Sequence, residues 1–152
     1  MKKEKALDEI DKQILRILQA NARTSYREIQ EQLGISIGTI HNRISKLKEN
    51  GIIEGYTLRL NNVKLGYKLT FLIRINVDGK YTEEILNDIK NIKEVCSIFH
   101  TTGEQSAALI CRFQESEDVH KFIRELNQKE YITRTNSNMI LKEYKNTSYV
   151  QM

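Results

Sequence analysis

The sequence predicts an α+β chain in two parts, and three observations carry that prediction. Apolar residues recur at one-turn spacing up to residue 51, marking helices. After Gly66, Leu69, Phe71, Ile73, Ile75 and Val77 alternate with Lys68, Thr70, Leu72, Arg74 and Asn76, marking a half-buried strand. Beyond that point the two periods exchange in the order strand, helix, strand, strand, helix, strand, the ferredoxin-like split βαβ pattern. The expected boundaries are a helical domain with a linking strand over 1–60, a polar linker over 61–66, and a βαββαβ domain with an antiparallel sheet over 67–152.

The first helix is expected from Asp8, a plausible N-cap, to Ala20, with Leu7, Ile10, Ile14, Ile17 and Leu18 on its inner face. Ser25 and Glu28 have the spacing of a capping box, and Ile29 and Leu33 follow one turn apart. Gly34 supplies the left-handed residue that stops this second helix. Ser36 caps the third, where Ile37, Ile40, Ile44 and Leu47 form a stripe and Gly51 closes the run. Two helices around a short glycine turn make a helix-turn-helix, winged-helix-like with the strand-like segment Ile52–Asn61 behind it.

In the second part, Asp78-Gly79 turns the chain out of the first strand, and Ile85, Leu86, Ile89 and Ile92 mark a helix. Residues 94–102 and 106–114 read as two strands around Gly103. Ser116 is expected to cap a helix with Val119, Phe122, Ile123 and Leu126 inside, and residues 131–144 read as a last strand. Helices on one face of such a sheet leave the other face free for a partner subunit.

Composition narrows the function. The 152 residues carry 29% charged and 39% hydrophobic types, with a net charge of +4. Residues 1–60 hold 11 Lys and Arg against 8 Asp and Glu; the remainder holds 13 against 12. The modest excess therefore sits with the helix-turn-helix, and assembly would have to multiply it for tight binding to a polyanion. No apolar run approaches the ~18 residues of a membrane span. The N-terminus lacks the apolar core of a signal peptide, so a cytoplasmic protein is expected. Two cysteines make no disulfide framework. If Gly103-Glu104 is a two-residue turn, Cys96 and Cys111 face each other across the hairpin, as buried reduced thiols or a cross-strand disulfide.

The exposed face of the third helix carries the functional prediction. Thr39, His41, Asn42, Arg43, Ser45 and Lys46 lie off the apolar stripe, and no acidic residue occurs from Ser36 to Lys48. These types suit base edges and phosphates in a DNA major groove. Asn42 is expected at adenine and Arg43 at guanine or phosphate. Ser36 and Thr39 are expected at phosphates or thymine edges, the helix start favouring an anion. Lys46, Arg23, Ser25 and Tyr26 would position the backbone, with His41 alongside. Histidines and acids form no catalytic or metal-binding constellation, so neither an enzyme nor a cofactor or metal is expected.

The sequence resembles the leucine-responsive regulatory protein/AsnC family of transcription regulators. The resemblance rests on Leu7-Asp8-x-x-Asp11-x-x-Ile14-Leu15, then Asn21-Ala22-Arg23-x-Ser25. It continues through Leu33-Gly34-x-Ser36-x-x-Thr39-Ile40-x-x-Arg43-Ile44-x-x-Leu47, Gly51-Ile52-Ile53-x-Gly55-Tyr56 and Leu65-Gly66. It implies dimers that assemble into octamers, pseudo-palindromic double-stranded DNA sites, and a partly structural Arg43. It also implies an amino-acid-like effector at the loop Thr101-Thr102-Gly103-Glu104-Gln105-Ser106, flanked by Arg134, Thr135 and Ser137. Two departures stand out. Gln105-Ser106 replace a common Tyr-Asp, which removes a carboxylate partner for a ligand ammonium. Gln30 replaces a small alanine between the helices. Sirohaem decarboxylases resemble the same chain and give the alternative reading, in which His100, Arg112 and Arg134 would serve a carboxylated macrocycle.

Overall fold

The computed structural model describes residues 7–147, 149 and 150. The reading of the first six residues as free of a signal peptide lies outside the described residues. Two compact units divide the chain: one runs up to Arg59 and takes in the tail from Asn146, the other spans Leu60–Lys145. The tail was expected with the sheet, but Gln19 Nε2 donates to Val150 O at 3.2 Å, so it groups with the helical unit. No helix among the described residues is long and apolar enough to cross a membrane.

The helical unit contains α1 (Glu9–Ala20), α2 (Tyr26–Leu33) and α3 (Ile37–Glu49). Asp8 caps α1, its carboxylate accepting from Asp11 N, and Ser25 and Glu28 close the expected capping box. Gly34 takes φ 68° at the end of α2, a conformation costly for any residue with a Cβ. Ile14, Ile29, Ile40 and Ile44 form the buried centre, with Ile10, Ile17, Leu18 and Leu33 packed around them. Each fully buried isoleucine contributes about 1.5–3 kcal/mol by leaving water. Ile37 departs from the expected stripe: it is exposed and does not pack against the helical core. Gln30 is half-buried within an unbroken α2.

The segment after Gly51, expected as a strand, bends at Ile52 and Ile53 and pairs with no strand among the described residues. Residues 61–66, expected as the linker, form a hydrogen-bonded turn: Leu65 N donates to Asn61 O, Lys64 N to Asn61 Oδ1 and Tyr67 N to Asn62 O.

The second unit is a four-stranded antiparallel sheet in the order β2-β3-β1-β4, built from β1 (Leu69–Val77), β2 (Val95–His100), β3 (Ala107–Phe113) and β4 (Ile132–Met139). Helices α4 (Thr82–Ile89) and α5 (Ser116–Asn127) cover one face. Ile73, Ile75 and Val77 of β1 meet Ile85 and Ile89 of α4 and Val119, Phe122 and Leu126 of α5 in one core. Leu72, Arg74 and Asn76 point to the open face, as the period of two requires. Three expectations need correction. The start of α5 is bonded through Asp118, which accepts from Glu115 N, so the cap is Glu115 and not Ser116. β4 ends at Met139, well short of Tyr144. The third concerns the cysteines.

His100 pairs with Ala107 and Ser97 with Ile110, the expected register, but a bulge then sets Val95 opposite Cys111. Cys96 is the extra residue of that bulge and points to solvent, while Cys111 is buried; both are free thiols. Burial, with smaller contributions from Cys96 and Glu94, pushes the Cys111 thiol up to about 12. Because the thiolate is the nucleophile, iodoacetamide at pH 8 should alkylate Cys96 in the native protein and reach Cys111 only after unfolding. Mass mapping that finds Cys111 modified first would overturn this assignment.

Candidate nucleic-acid interface and effector loop

Helix α3 is held as a presented rod. Ser36 Oγ accepts from Thr39 N at 3.2 Å and lies 2.9 Å from Thr39 Oγ1, so the first turn is tied by its own side chains. The outer face leaves Thr39, His41, Asn42 and Lys46 exposed, and Arg23 and Ser25 are exposed on the neighbouring elements. Tyr26 is half-buried and its ring meets that of His41 edge-on, 6.0 Å between centroids, locking α2 to α3. Lys48, which the sequence reading did not single out, lies over the Tyr56 ring at 5.1 Å and joins the segment after α3 to the helix end.

Arg43 is placed differently from the expected base reader. Its Nη1 donates to Asp8 Oδ2 and to Asp11 Oδ1, both at 2.7 Å, and the side chain is only 25% exposed. The same Asp8 caps α1, so one cluster ties the start of α1 to the middle of α3. The bond to Arg43, ahead of the bond from Asp11 N, holds the Asp8 carboxyl below its usual value, and the two carboxylates raise Arg43 above its own. Nothing in the one-dimensional pattern separates an arginine turned inward from one turned outward. Two sequence signals pointed to it: the family resemblance, which implied a partly structural Arg43, and Asp8 and Asp11 at one-turn spacing, which also reads as an ordinary capping box.

At the other site, a cavity of about 340 Å³ is lined by Arg74, Thr101, Thr102, Glu104, Gln105 and Ala108. Four of the expected effector residues therefore come together, and Gly103, with φ 105°, turns the loop that carries them. Ser106 is spent elsewhere: its hydroxyl accepts from Val77 N at 3.0 Å and donates to Val77 O at 3.1 Å, stitching the end of β1 to the start of β3. The trio on β4 divides between faces. Arg134 pairs with Asn76 on the open face, whereas Thr135 and Ser137 pair with Ile75 and Ile73 on the helix-covered face. Arg74 was missed because it sits in the strand's alternation as an ordinary polar position. For the tetrapyrrole reading, Arg112 is engaged by Thr70 Oγ1 and Glu143, and His100 stands exposed at the end of β2.

A capped helix-turn-helix with an acid-free outer face, followed by a ferredoxin-like domain with a loop cavity, defines a DNA-binding protein with a ligand-binding domain. Comparison with known proteins agrees. Residues 7–54 match the winged helix-turn-helix DNA-binding family, and residues 70–150 match the Lrp/AsnC ligand binding domain. An HTH-type transcriptional regulator of Pyrococcus abyssi is 40% identical over 91% of this chain and 95% of its own. The regulator Ptr1 of Methanocaldococcus jannaschii is 41% identical over 78% of this chain and 80% of its own. Among solved structures, E. coli AsnC superposes with a TM-score of 0.88 at 28% identity, covering 95% of this chain and 99% of AsnC. A Neisseria meningitidis transcriptional regulator solved as an L-Met complex gives 0.89 at 26% identity, covering 95% and 96%. The chain belongs to the Lrp/AsnC family and is a DNA-binding transcription regulator.

Proposed function

We infer that α3 is the recognition helix of a symmetric assembly that binds a pseudo-palindromic operator, and that the loop 101–106 answers to an amino-acid-like effector. The observation that carries the DNA half is the exposed, acid-free face of Thr39, His41, Asn42 and Lys46. Asn42 has the donor and acceptor needed for adenine, and Lys46, Arg23, Ser25, Tyr26 and the Ser36 helix start address phosphates. Arg43 acts in this reading by holding α3 against α1. The open sheet face, with Leu72, Ile110 and a 55% exposed Phe99, supports a second copy as its cover. Two such copies would set their recognition helices about 34 Å apart, one DNA turn, or a multiple of it. The effector half is supported by the loop cavity and by the neisserial neighbour's complex with L-Met. We read the protein as cytoplasmic and without enzymatic activity, since the Arg112 guanidinium that a tetrapyrrole would need is taken by Thr70 and Glu143.

The test is fluorescence anisotropy on the protein's own promoter fragment and on unrelated DNA across a salt series. Promoter-selective binding whose logarithm falls linearly with log salt is the expected result, the slope reporting the phosphates contacted. Equal affinity for both fragments at every salt concentration would sink the operator reading.

A further inference from the structure

The open face of the sheet carries more positive charge than it neutralises. Arg74 and Arg134 both lie on it: Arg74 pairs with Asn136 and Asn76 with Arg134, so the two arginines are diagonal neighbours on adjacent strands. Such neighbours in an antiparallel pair stand about 7–8 Å apart, within reach of long side chains. Neither arginine has an ion pair among the described residues, whereas Arg112 on the same face is answered by Glu143. None of the open-face positions of the four strands is acidic. Amides stand around the pair instead. Arg74 Nη2 donates to Asn138 Oδ1 at 2.8 Å and to Asn136 Oδ1 at 3.5 Å, while Arg74 Nε is enclosed without a partner among the described residues. The side chain is held in place, yet its charge and part of its hydrogen-bonding capacity stay unmet.

A second copy over this face deepens the shortfall. In an isologous interface both partners present the same patch. Arg74 sits near the middle of β1, one of the two central strands, so a partner covering the face brings its own Arg74 and Arg134 toward this pair. Four guanidiniums then share one interface to which neither sheet face contributes a free carboxylate. Unpaired charges taken from water are costly, and like charges set opposite each other resist association. Glu104 lines the cavity beside Arg74 but makes no ion pair with it. A small multivalent oxyanion answers the deficit: guanidinium forks bind phosphate-type oxygens bidentately, and asparagine amides keep free N–H donors when their oxygens are taken. We propose that Arg74 and Arg134, flanked by the amides of Asn76, Asn136 and Asn138, form an oxyanion site shared by two copies, whose occupation by a phosphate- or sulfate-like dianion controls their pairing. The anion acts by binding the paired state better than the single copy. The proposal rests on the reading of the open face as covered by a second copy and adds the ligand that regulates it.

Sedimentation velocity of the full-length protein over a dilution series tests it, in sodium chloride and with part of the chloride replaced by low-millimolar sulfate or inorganic phosphate. Ionic strength is held equal, so screening is constant and a difference reports bound anion. Sulfate and phosphate should each tighten wild-type pairing at least tenfold. Arg134→Gln removes one repelling charge per copy from an exposed position on an edge strand, where the core is not at stake. It should pair more tightly than wild type in chloride and respond less than twofold to either anion. Arg74→Gln should lose the response in the same way. Equal wild-type pairing in all three salts overturns the assignment and leaves the second-copy reading standing. So does a full response in Arg134→Gln, or pairing weakened by sulfate, the sign expected if the partner's Glu104 neutralised Arg74. A single copy in every salt at every concentration overturns both readings.

Discussion

Ile40→Ala should unfold the DNA-binding half of the protein at denaturant concentrations where the sheet survives. Ile40 is 0% exposed and belongs to a buried centre of only four isoleucines. Truncating such a side chain costs about 2–5 kcal/mol, the sum of lost transfer energy and the cavity left behind. Domains are stable by only about 5–15 kcal/mol, and small ones bury the least surface. A loss of that size therefore consumes much of what the helical unit has. Urea titration of the full chain, with hydrogen exchange reading α2 and α3 separately from β1 and β3, is the measurement. The expected pattern is lost protection in the helices with the strands unchanged, and DNA affinity reduced for all sequences alike. Asn42→Ala is the contrasting variant. Asn42 is exposed, so stability should hold while affinity for the operator alone falls by about 1–3 kcal/mol. Unchanged exchange in α2 and α3 of the Ile40 variant would show that the four-isoleucine centre is not what holds the unit.

Arg43→Ala should lower affinity for operator and unrelated DNA by the same factor, with a pH signature that a base contact could not produce. The substitution leaves Asp8 and Asp11 facing each other without the guanidinium that bridges them. Helix α3 then loses its tie to the start of α1, and every contact made by its outer face weakens together. The sign of the pH effect follows from Asp8, whose carboxyl the Arg43 bond holds below its usual value. A depressed folded-state value gives stability that is fully present above the unfolded value, about 3.9, and is lost as pH falls through the lower folded value. The melting-temperature gap between wild type and Arg43→Ala should therefore be largest near neutral pH and close below about pH 4. Glu28, also depressed through its bonds to Ser25, titrates in both proteins and cancels from the difference. A gap independent of pH, or a loss confined to the operator, would return Arg43 to base readout.

Much of the fold was legible because it is written in local chemistry. Ser25 with Glu28, Ser36, Gly34 and Gly51 mark helix ends by bonds or backbone angles that near neighbours decide. β1 was legible because its two faces differ in polarity and the side-chain period is two. The exposed polar side of α3 was legible for the same reason, as the complement of its apolar stripe. Ile37 shows the limit: its spacing fits the stripe, but how far a core extends over a helix's first turn depends on what packs there.

What the sequence by itself determined is the order of elements, the helix caps, the polar face of α3 and the loop that carries the cavity. These rest on interactions within about four residues or on a simple periodicity. The tertiary structure decided the rest, because each remaining feature joins residues far apart in the chain. Arg43 turned inward only because α1 brings two carboxylates to it across more than thirty residues. The cysteines parted because one bulge shifted a register that local spacing leaves undefined. Arg74 lines the loop cavity because an antiparallel pairing lays β3 and its loop beside β1.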